Sequence, residues 1–184
     1  GNVRRLGSTT VPQTMASGIS AFLAGKIGCG NQVSTNSSAC STGTEAILMA
    51  CERIQNGLAD RMLAGSCSDS GPYVWGGFDA MRVVPSGYNQ QPERASRPMA
   101  ESAAGFVPSS GAGALVLESL DSALKRKAHI HAEVLGGAVN CGGQRGGGSM
   151  TASNGNAVQR CIAEALRTTH LKGDDIDSIN GHLT

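Results

Sequence analysis

Apolar residues Ile47, Cys51, Ile54 and Leu58 recur at spacings of four, three and four, which predicts one buried stripe of a helix. Ser41 and Thr42 supply hydroxyls at its start, Glu45 falls where a carboxylate favours a helix N-terminus, and Asn56-Gly57 supplies a stop. The segment Gln32-Val33-Ser34-Thr35-Asn36 ahead of it is β-branched enough for a strand, and Arg61-Met62-Leu63-Ala64-Gly65-Ser66 behind it is a short apolar run that predicts another. Together they give a β-turn-α-β unit with a parallel crossover as its natural topology.

The pattern continues down the chain. Residues 68–98 are rich in Gly, Pro, Ser, Asn and Gln and are expected to form a long excursion with a helical turn near Phe78-Asp79-Ala80-Met81. Gly113 to Leu117 predicts a buried strand, Leu120 to Arg126 a short helix, and Ile130 to Leu135 a further strand. A glycine-rich loop over 142–148 follows, then an amphipathic helix marked by Val158, Ile162, Ala165 and Leu166, then a last strand at Ser178-Ile179-Asn180-Gly181. Strand and helix alternate, which argues for an α/β protein whose helices cover a largely parallel, buried sheet.

Composition narrows the function classes. Lys and Arg number 15 against 14 Asp and Glu, and no basic run is interleaved with aromatics, so nucleic acid is not an expected partner. No apolar run approaches the ~20 residues that span a bilayer, and six cysteines without a Cys-x-x-Cys pair fit reduced thiols, so the expectation is a soluble cytoplasmic protein. A compact domain of 184 residues is expected to bury roughly 70% of its unfolded surface. With 26 glycines and only 3% aromatics, close backbone packing between layers filled by Ala, Val, Leu and Met is expected. The chain opens on Gly1 without a methionine and stops at Thr184 after an apolar-to-polar transition, which suggests a piece of a longer polypeptide.

Cys40 stands where the first strand should hand over to the helix, at the positive end of the helix dipole, a setting in which cysteines act as nucleophiles. A cysteine chosen without that context is more often a small buried hydrophobe. His182 follows the last predicted strand, and strand ends are where catalytic groups gather in α/β sheets. His129 and His131 would share one face of a strand with Glu133, but the ligand spacing for zinc is incomplete and an ordinary partly exposed strand is the better reading. The loop Gly142-Gly143-Gln144-Arg145-Gly146-Gly147-Gly148-Ser149 lacks the Lys-Ser/Thr ending of a phosphate loop. Lys125-Arg126-Lys127 is expected to be a solvated basic cluster at a helix C-terminus rather than a docking site.

The segment Ser37-Ser38-Ala39-Cys40-Ser41-Thr42-Gly43 resembles the active-site motif of the β-ketoacyl-acyl-carrier-protein synthases, condensing enzymes of the thiolase superfamily. Further blocks match in the same order: Ser96-Arg97-Pro98 with Gly105-Phe106-Val107, then Gly111-Ala112-Gly113-Ala114-Leu115-Val116-Leu117-Glu118. Lys127 to Val134 is similar to the family's link into its second half, and Ile179-Asn180-Gly181-His182-Leu183-Thr184 to the segment bearing its first catalytic histidine. The resemblance implies a thiolase-like fold, a five-layered αβαβα arrangement of two similar halves. Residues 1–127 would be the later part of the first half and 128–184 the start of the second.

It also implies a decarboxylative Claisen condensation: Cys40 holds an acyl group as a thioester, and malonyl-acyl-carrier protein loses carbon dioxide and attacks it. His182 would support decarboxylation and the Cys40 amide would donate to the oxyanion. Thr151 and Thr184 would meet the phosphopantetheine arm, which arrives on the carrier protein, so no resident cofactor is implied. Phe78, after Gly76-Gly77, would lie near the acyl channel. Acyl carrier protein is the implied partner, with a homodimer or ketosynthase heterodimer formed through a strand near Val33 to Asn36. The family's second histidine and its lysine would lie beyond Thr184, so the chain alone is expected not to complete a condensation.

Leu183 replaces a usual glycine, Ser149 stands where many relatives carry histidine, and Ala103-Ala104 replace a charged pair, which suggests a branch serving specialised polyene or polyketide synthesis. Two alternatives stay open. One is a non-catalytic chain-length partner subunit, which usually lacks the nucleophile. The other is a thiolase or hydrolase acting on coenzyme A thioesters.

Overall fold

The computed structural model describes residues 5–143 and 154–183. In chain order the elements are helices α1 (Thr10–Thr14), α2 (Gly18–Ile27) and α3 (Thr42–Gln55), strand β1 (Arg61–Ser68), helix α4 (Pro72–Ala80), strand β2 (Gly111–Glu118), and helices α5 (Leu120–Lys125) and α6 (Gly155–Thr169). None of the described helices is long and apolar enough to cross a membrane.

The helix expected after Cys40 is α3. Ile47, Cys51 and Ile54 are half-buried along one face and Ala50 is buried among them, where the helix packs on β1. The Asn56-Gly57 stop works as expected, because Gly57 adopts φ +68°, and Leu58 falls beyond the stop and stays exposed. Asp121 and Lys125 complement the dipole of α5, whose Ser119 cap accepts the Ser122 amide at 3.4 Å. Asn154 caps α6 in the same way, and His170 ends that helix in the left-handed region.

The sheet differs from the expectation. Among the described residues it has two strands, and they are antiparallel, with Arg61 opposite Glu118 and Ser68 opposite Gly111. The excursion over 69–110 leaves and returns at the same end, so β2 re-enters where β1 departed. A parallel partner would have had to cross to the opposite end first. The strands expected at 32–36, 130–135 and 178–181 are not paired in any sheet. Extended, β-branched sequence makes a strand only beside an edge with free N–H and C=O groups.

Burial shows the same incompleteness. The accessible surface is 14294 Å², whereas a chain of 18.7 kDa folded as one compact domain exposes about 8300 Å² and its unfolded form about 27000 Å². Roughly half the unfolded surface is buried rather than the 70% expected of a single domain. Among the described residues the buried apolar side chains are alanines, Ala50, Ala64, Ala95, Ala123 and Ala157, together with Pro85 and Pro108. The sheet face away from α3 presents Leu63 and Val116 at 41% and 66% exposure, and on α6 the predicted stripe leaves Val158 and Ile162 open. The layers are set close, as the glycine content implies, but their outer apolar faces are uncovered.

Between β1 and β2 the long excursion is internally ordered. Arg97 stacks its guanidinium 4.7 Å from the Tyr88 ring centroid, and donates to the Arg94 carbonyl at 2.7 Å and to Ser102 Oγ at 3.1 Å. Further on, the Phe106 amide donates to the Val83 carbonyl at 2.9 Å. Gly105 makes that crossing possible: it sits at φ +123°, and a Cβ there would lie 2.0 Å from the Val83 oxygen.

Candidate functional site around Cys40

Cys40 occupies a tight 3₁₀ turn, Ala39–Ser41, directly before α3, and is exposed. Two backbone bonds close the turn, from the Ser41 amide to the Ser38 carbonyl at 3.1 Å and from the Thr42 amide to the Ala39 carbonyl. Neither of these two bonds uses the Cys40 amide. Ala39 adopts φ +48°, a left-handed conformation that costs a non-glycine residue roughly 1–2 kcal/mol. Such strain persists where neighbouring contacts over-determine it, and it collects at functional turns.

Those contacts are plentiful. The Ser38 amide donates to Thr42 Oγ1 at 2.8 Å, and that hydroxyl donates to the Ala39 carbonyl at 2.7 Å. The Ser38 hydroxyl donates to the Glu45 carboxylate, and the Ser41 hydroxyl lies 2.9 Å from the Ser38 carbonyl and 3.3 Å from Glu45 Oε1. Asn36 Nδ2 reaches the Thr42 carbonyl at 3.2 Å and Glu45 Oε2 at 3.4 Å. At the start of α3, Gly43 allows close approach to β1, since a Cβ there would stand 2.8 Å from Ser66 Oγ. The serines, threonine and asparagine of the motif thus have a structural purpose: they hold the cysteine at a fixed corner.

The other expected site residues are less closely held. Phe78 is half-buried on α4 and meets Phe106 edge-to-face, with centroids 4.9 Å apart and planes at 75°. His182 is exposed on an irregular segment, and among the described residues no hydrogen bond, ion pair or aromatic contact links it to Cys40 or Phe78. Thr151 and Thr184 lie outside the described residues, as does most of the glycine-rich loop, including Arg145. His129 and His131 are exposed with rings 4.6 Å apart, and no group of three or more His, Cys, Asp or Glu side chains able to hold a metal occurs among the described residues.

The basic cluster Lys125-Arg126-Lys127 is exposed, as expected, and one of its members is also paired. Arg126 pairs with Glu118 through Nη2 at 2.6 Å and Nε at 2.9 Å, and Ser122 Oγ donates to the same carboxylate at 2.7 Å. These bonds, first from Arg126, then from Ser122, with the charges of Arg126 and Arg61 adding to them, hold the Glu118 carboxyl down at about 2. Burial, and secondarily the charge of Glu52, pushes the thiol of the half-buried Cys51 up. The Glu45 network was missed by sequence reasoning, which credited Glu45 only with the helix dipole. The Ser41–Glu45 spacing of one helical turn was the available signal.

Residues 1–123 match the family model described as Beta-ketoacyl synthase, N-terminal domain, and residues 131–184 the one described as Beta-ketoacyl synthase, C-terminal domain. The chain is 38% identical over 184 residues to the chloroplastic 3-oxoacyl-[acyl-carrier-protein] synthase I of Arabidopsis thaliana, covering 98% of this chain and 38% of that protein. A β-ketoacyl synthase from Burkholderia phymatum superposes with a TM-score of 0.88 at 30% identity, over 97% of this chain and 43% of that one. A type II polyketide ketosynthase, solved with its acyl-carrier protein and bound to a hexaketide, gives 0.84 at 32% identity, covering 95% of this chain and 43% of that one. The fold is thus the thiolase-like α/β fold of the ketosynthases, of which this chain covers part. The chain spans about two fifths of the length of these relatives.

Proposed function

Because the chain belongs to the β-ketoacyl synthase family, we propose that its Cys40 turn is the acyl-accepting centre of a decarboxylative condensing enzyme. The observation that carries this is the corner itself: an exposed thiol, a strained residue before it, a helix start after it, and its amide left out of the turn's own bonds.

The Cys40 sulfur attacks the carbonyl carbon of an acyl thioester on acyl carrier protein. A carbon–sulfur bond forms at Cys40, the carrier's phosphopantetheine thiol leaves and takes a proton, and the chain now holds the acyl group. The Cys40 amide hydrogen-bonds the oxyanion in passing, a contribution of ~2.7–4 kcal/mol by analogy with other such donors. Malonyl-acyl-carrier protein then loses carbon dioxide, its enolate carbon bonds to the acyl carbon, and the Cys40 thiolate is released. His182 supports the decarboxylation, Thr151 and Thr184 meet the phosphopantetheine arm, and Phe78 walls the acyl channel. The segment Val33 to Asn36, exposed from Val33 to Thr35, is where a second subunit, identical or not, would add its edge.

Cys40 itself favours this reading over the non-catalytic partner subunit, which usually lacks the nucleophile. The test is intact-mass analysis of the natural protein carrying this sequence after exposure to acyl-carrier proteins and, separately, to acyl-coenzyme A, with peptide mapping. An adduct on Cys40 from the carrier is expected. Cys40→Ala should abolish it while shifting stability by no more than about 0.5 kcal/mol, because the thiol is exposed. An adduct formed only from coenzyme A would move the assignment to thiolase chemistry, and an adduct persisting in Cys40→Ala would remove the nucleophile assignment.

A further inference from the structure

We propose that Glu45 is a positioning residue for Cys40, its carboxylate tying the residues on either side of the cysteine turn to the first turn of α3. The inference rests on the reading of Cys40 as the acyl acceptor and adds to it the group that sets the thiol's direction.

A carboxylate that served only the helix dipole could stay in solvent at the start of α3. Glu45 instead is half-buried and folds back over the turn, where the Ser38 hydroxyl donates to it. The Ser41 hydroxyl has one proton, shared between the Ser38 carbonyl at 2.9 Å and Glu45 Oε1 at 3.3 Å. Asn36 reaches the same carboxylate at 3.4 Å from the incoming segment. All three donors are neutral, so an ionised acceptor makes the bonds charge-assisted, about twice as strong as neutral ones. The turn needs that hold, because Ala39 sits at φ +48° immediately before Cys40. When Ser38 loses its anchor, Ala39 relaxes toward the right-handed region, and the next residue, Cys40, turns with it.

The test uses the natural protein carrying this sequence and two readouts. One is the rate of Cys40 acylation by an acyl-carrier protein. The other is alkylation of Cys40 by iodoacetamide relative to Cys67, an exposed thiol on β1 that serves as the internal reference. Glu45→Ala is expected to slow both reactions at Cys40 by about tenfold or more, since small misplacements of a reacting atom cost that much, with Cys67 unchanged. Glu45→Gln keeps one acceptor oxygen for Ser38 and is expected to recover most of the loss. Ser38→Ala removes the same bond from the other side and should reproduce it, and it decides the matter if Glu45→Ala fails to fold. Parent-like Cys40 rates in Ser38→Ala overturn the proposal, as does a fall at Cys67 in step with Cys40. If the unsubstituted protein is never acylated at Cys40 yet the alkylation contrast holds, the synthase reading falls and the positioning role stands.

Discussion

The Cys40 turn and the His182 segment are both places where the sequence points to chemistry, and they are built in opposite ways. Around Cys40, residues between Asn36 and Glu45 satisfy one another through local hydrogen bonds, and α3 seats the assembly on β1. Around His182 the chain from Asp177 to Leu183 is exposed, and none of its side chains has a hydrogen-bond partner among the described residues. The corner at Cys40 is thus closed by its own neighbours in sequence. The histidine's surroundings are not supplied by its own neighbours in sequence, and the chain covers 43% of each of two related ketosynthases.

The sharpest way to break that contrast is His182→Ala in the natural protein. Under the proposed function, decarboxylation of malonyl-acyl-carrier protein should fall by about 10²–10⁴-fold, while acylation of Cys40 stays within about threefold, because no bond of the Cys40 turn reaches His182. Carbon dioxide release and the Cys40 adduct, followed on one sample, separate the two steps. Equal loss of both would mean that the histidine helps build the nucleophile's corner, and the comparison would fail.

How much could be read from the sequence follows the same division. α3, β1, β2, α5 and α6 were each legible, because a run of five to fifteen residues carries its own period and its own caps. The antiparallel pairing was not, since it depends on which end of the sheet the 69–110 excursion returns to, and nothing in residues 61–68 or 111–118 encodes that choice. Gln32 to Asn36, Ile130 to Leu135 and Ser178 to Gly181 read as strands, the first from its β-branched composition, yet pairing requires an edge that these residues do not supply. Helices α1 and α2 carried no signal strong enough to assign: α2 is apolar nearly all round, and Ile19, Phe22 and Ile27 are all exposed. At the site, Cys40 was legible from its context, whereas the Ser38–Glu45 bond required knowing that Ala39 turns left-handed.

A region closed by its own contacts should answer a backbone change with lost stability. Gly105 tests that, because it lies at φ +123° with the Val83 carbonyl where a Cβ would go. Gly105→Ala is expected to destabilise the protein by about 2 kcal/mol or more, from strain and displacement together. Thermal or denaturant melting reads the loss. The Phe78–Phe106 contact should loosen with it, since Phe106 is the next residue and its amide holds the same Val83 carbonyl. Gly181→Ala is the matched control in the His182 segment: among the described residues its Cβ would meet only Leu183 carbons at 3.7 and 3.8 Å, so little change is expected. A Gly105→Ala protein as stable as the parent would show that the crossing is not clamped.

The smallest expected effect lies at Glu118, another contact closed within the chain, and it is set by pH. Its carboxyl is lowered from 4.5 to about 2, first by the Arg126 hydrogen bonds, then by Ser122, with the charges of Arg126 and Arg61 behind them. A carboxyl whose folded-state value is depressed binds its proton more readily in the unfolded chain, so lowering the pH favours unfolding. The stabilisation is fully present above about 4.5 and drains away as the pH falls toward about 2. Arg61 and Arg126 have side chains 61% and 51% exposed, so solvent and salt screen the pairs and the contribution is modest. Melting temperatures of the parent and Glu118→Gln should therefore differ at neutral pH, converge between about pH 4.5 and 2, and lie closer together throughout at high salt. A gap between the two proteins that ignored both pH and salt would assign Glu118 to packing at the start of α5 rather than to charge.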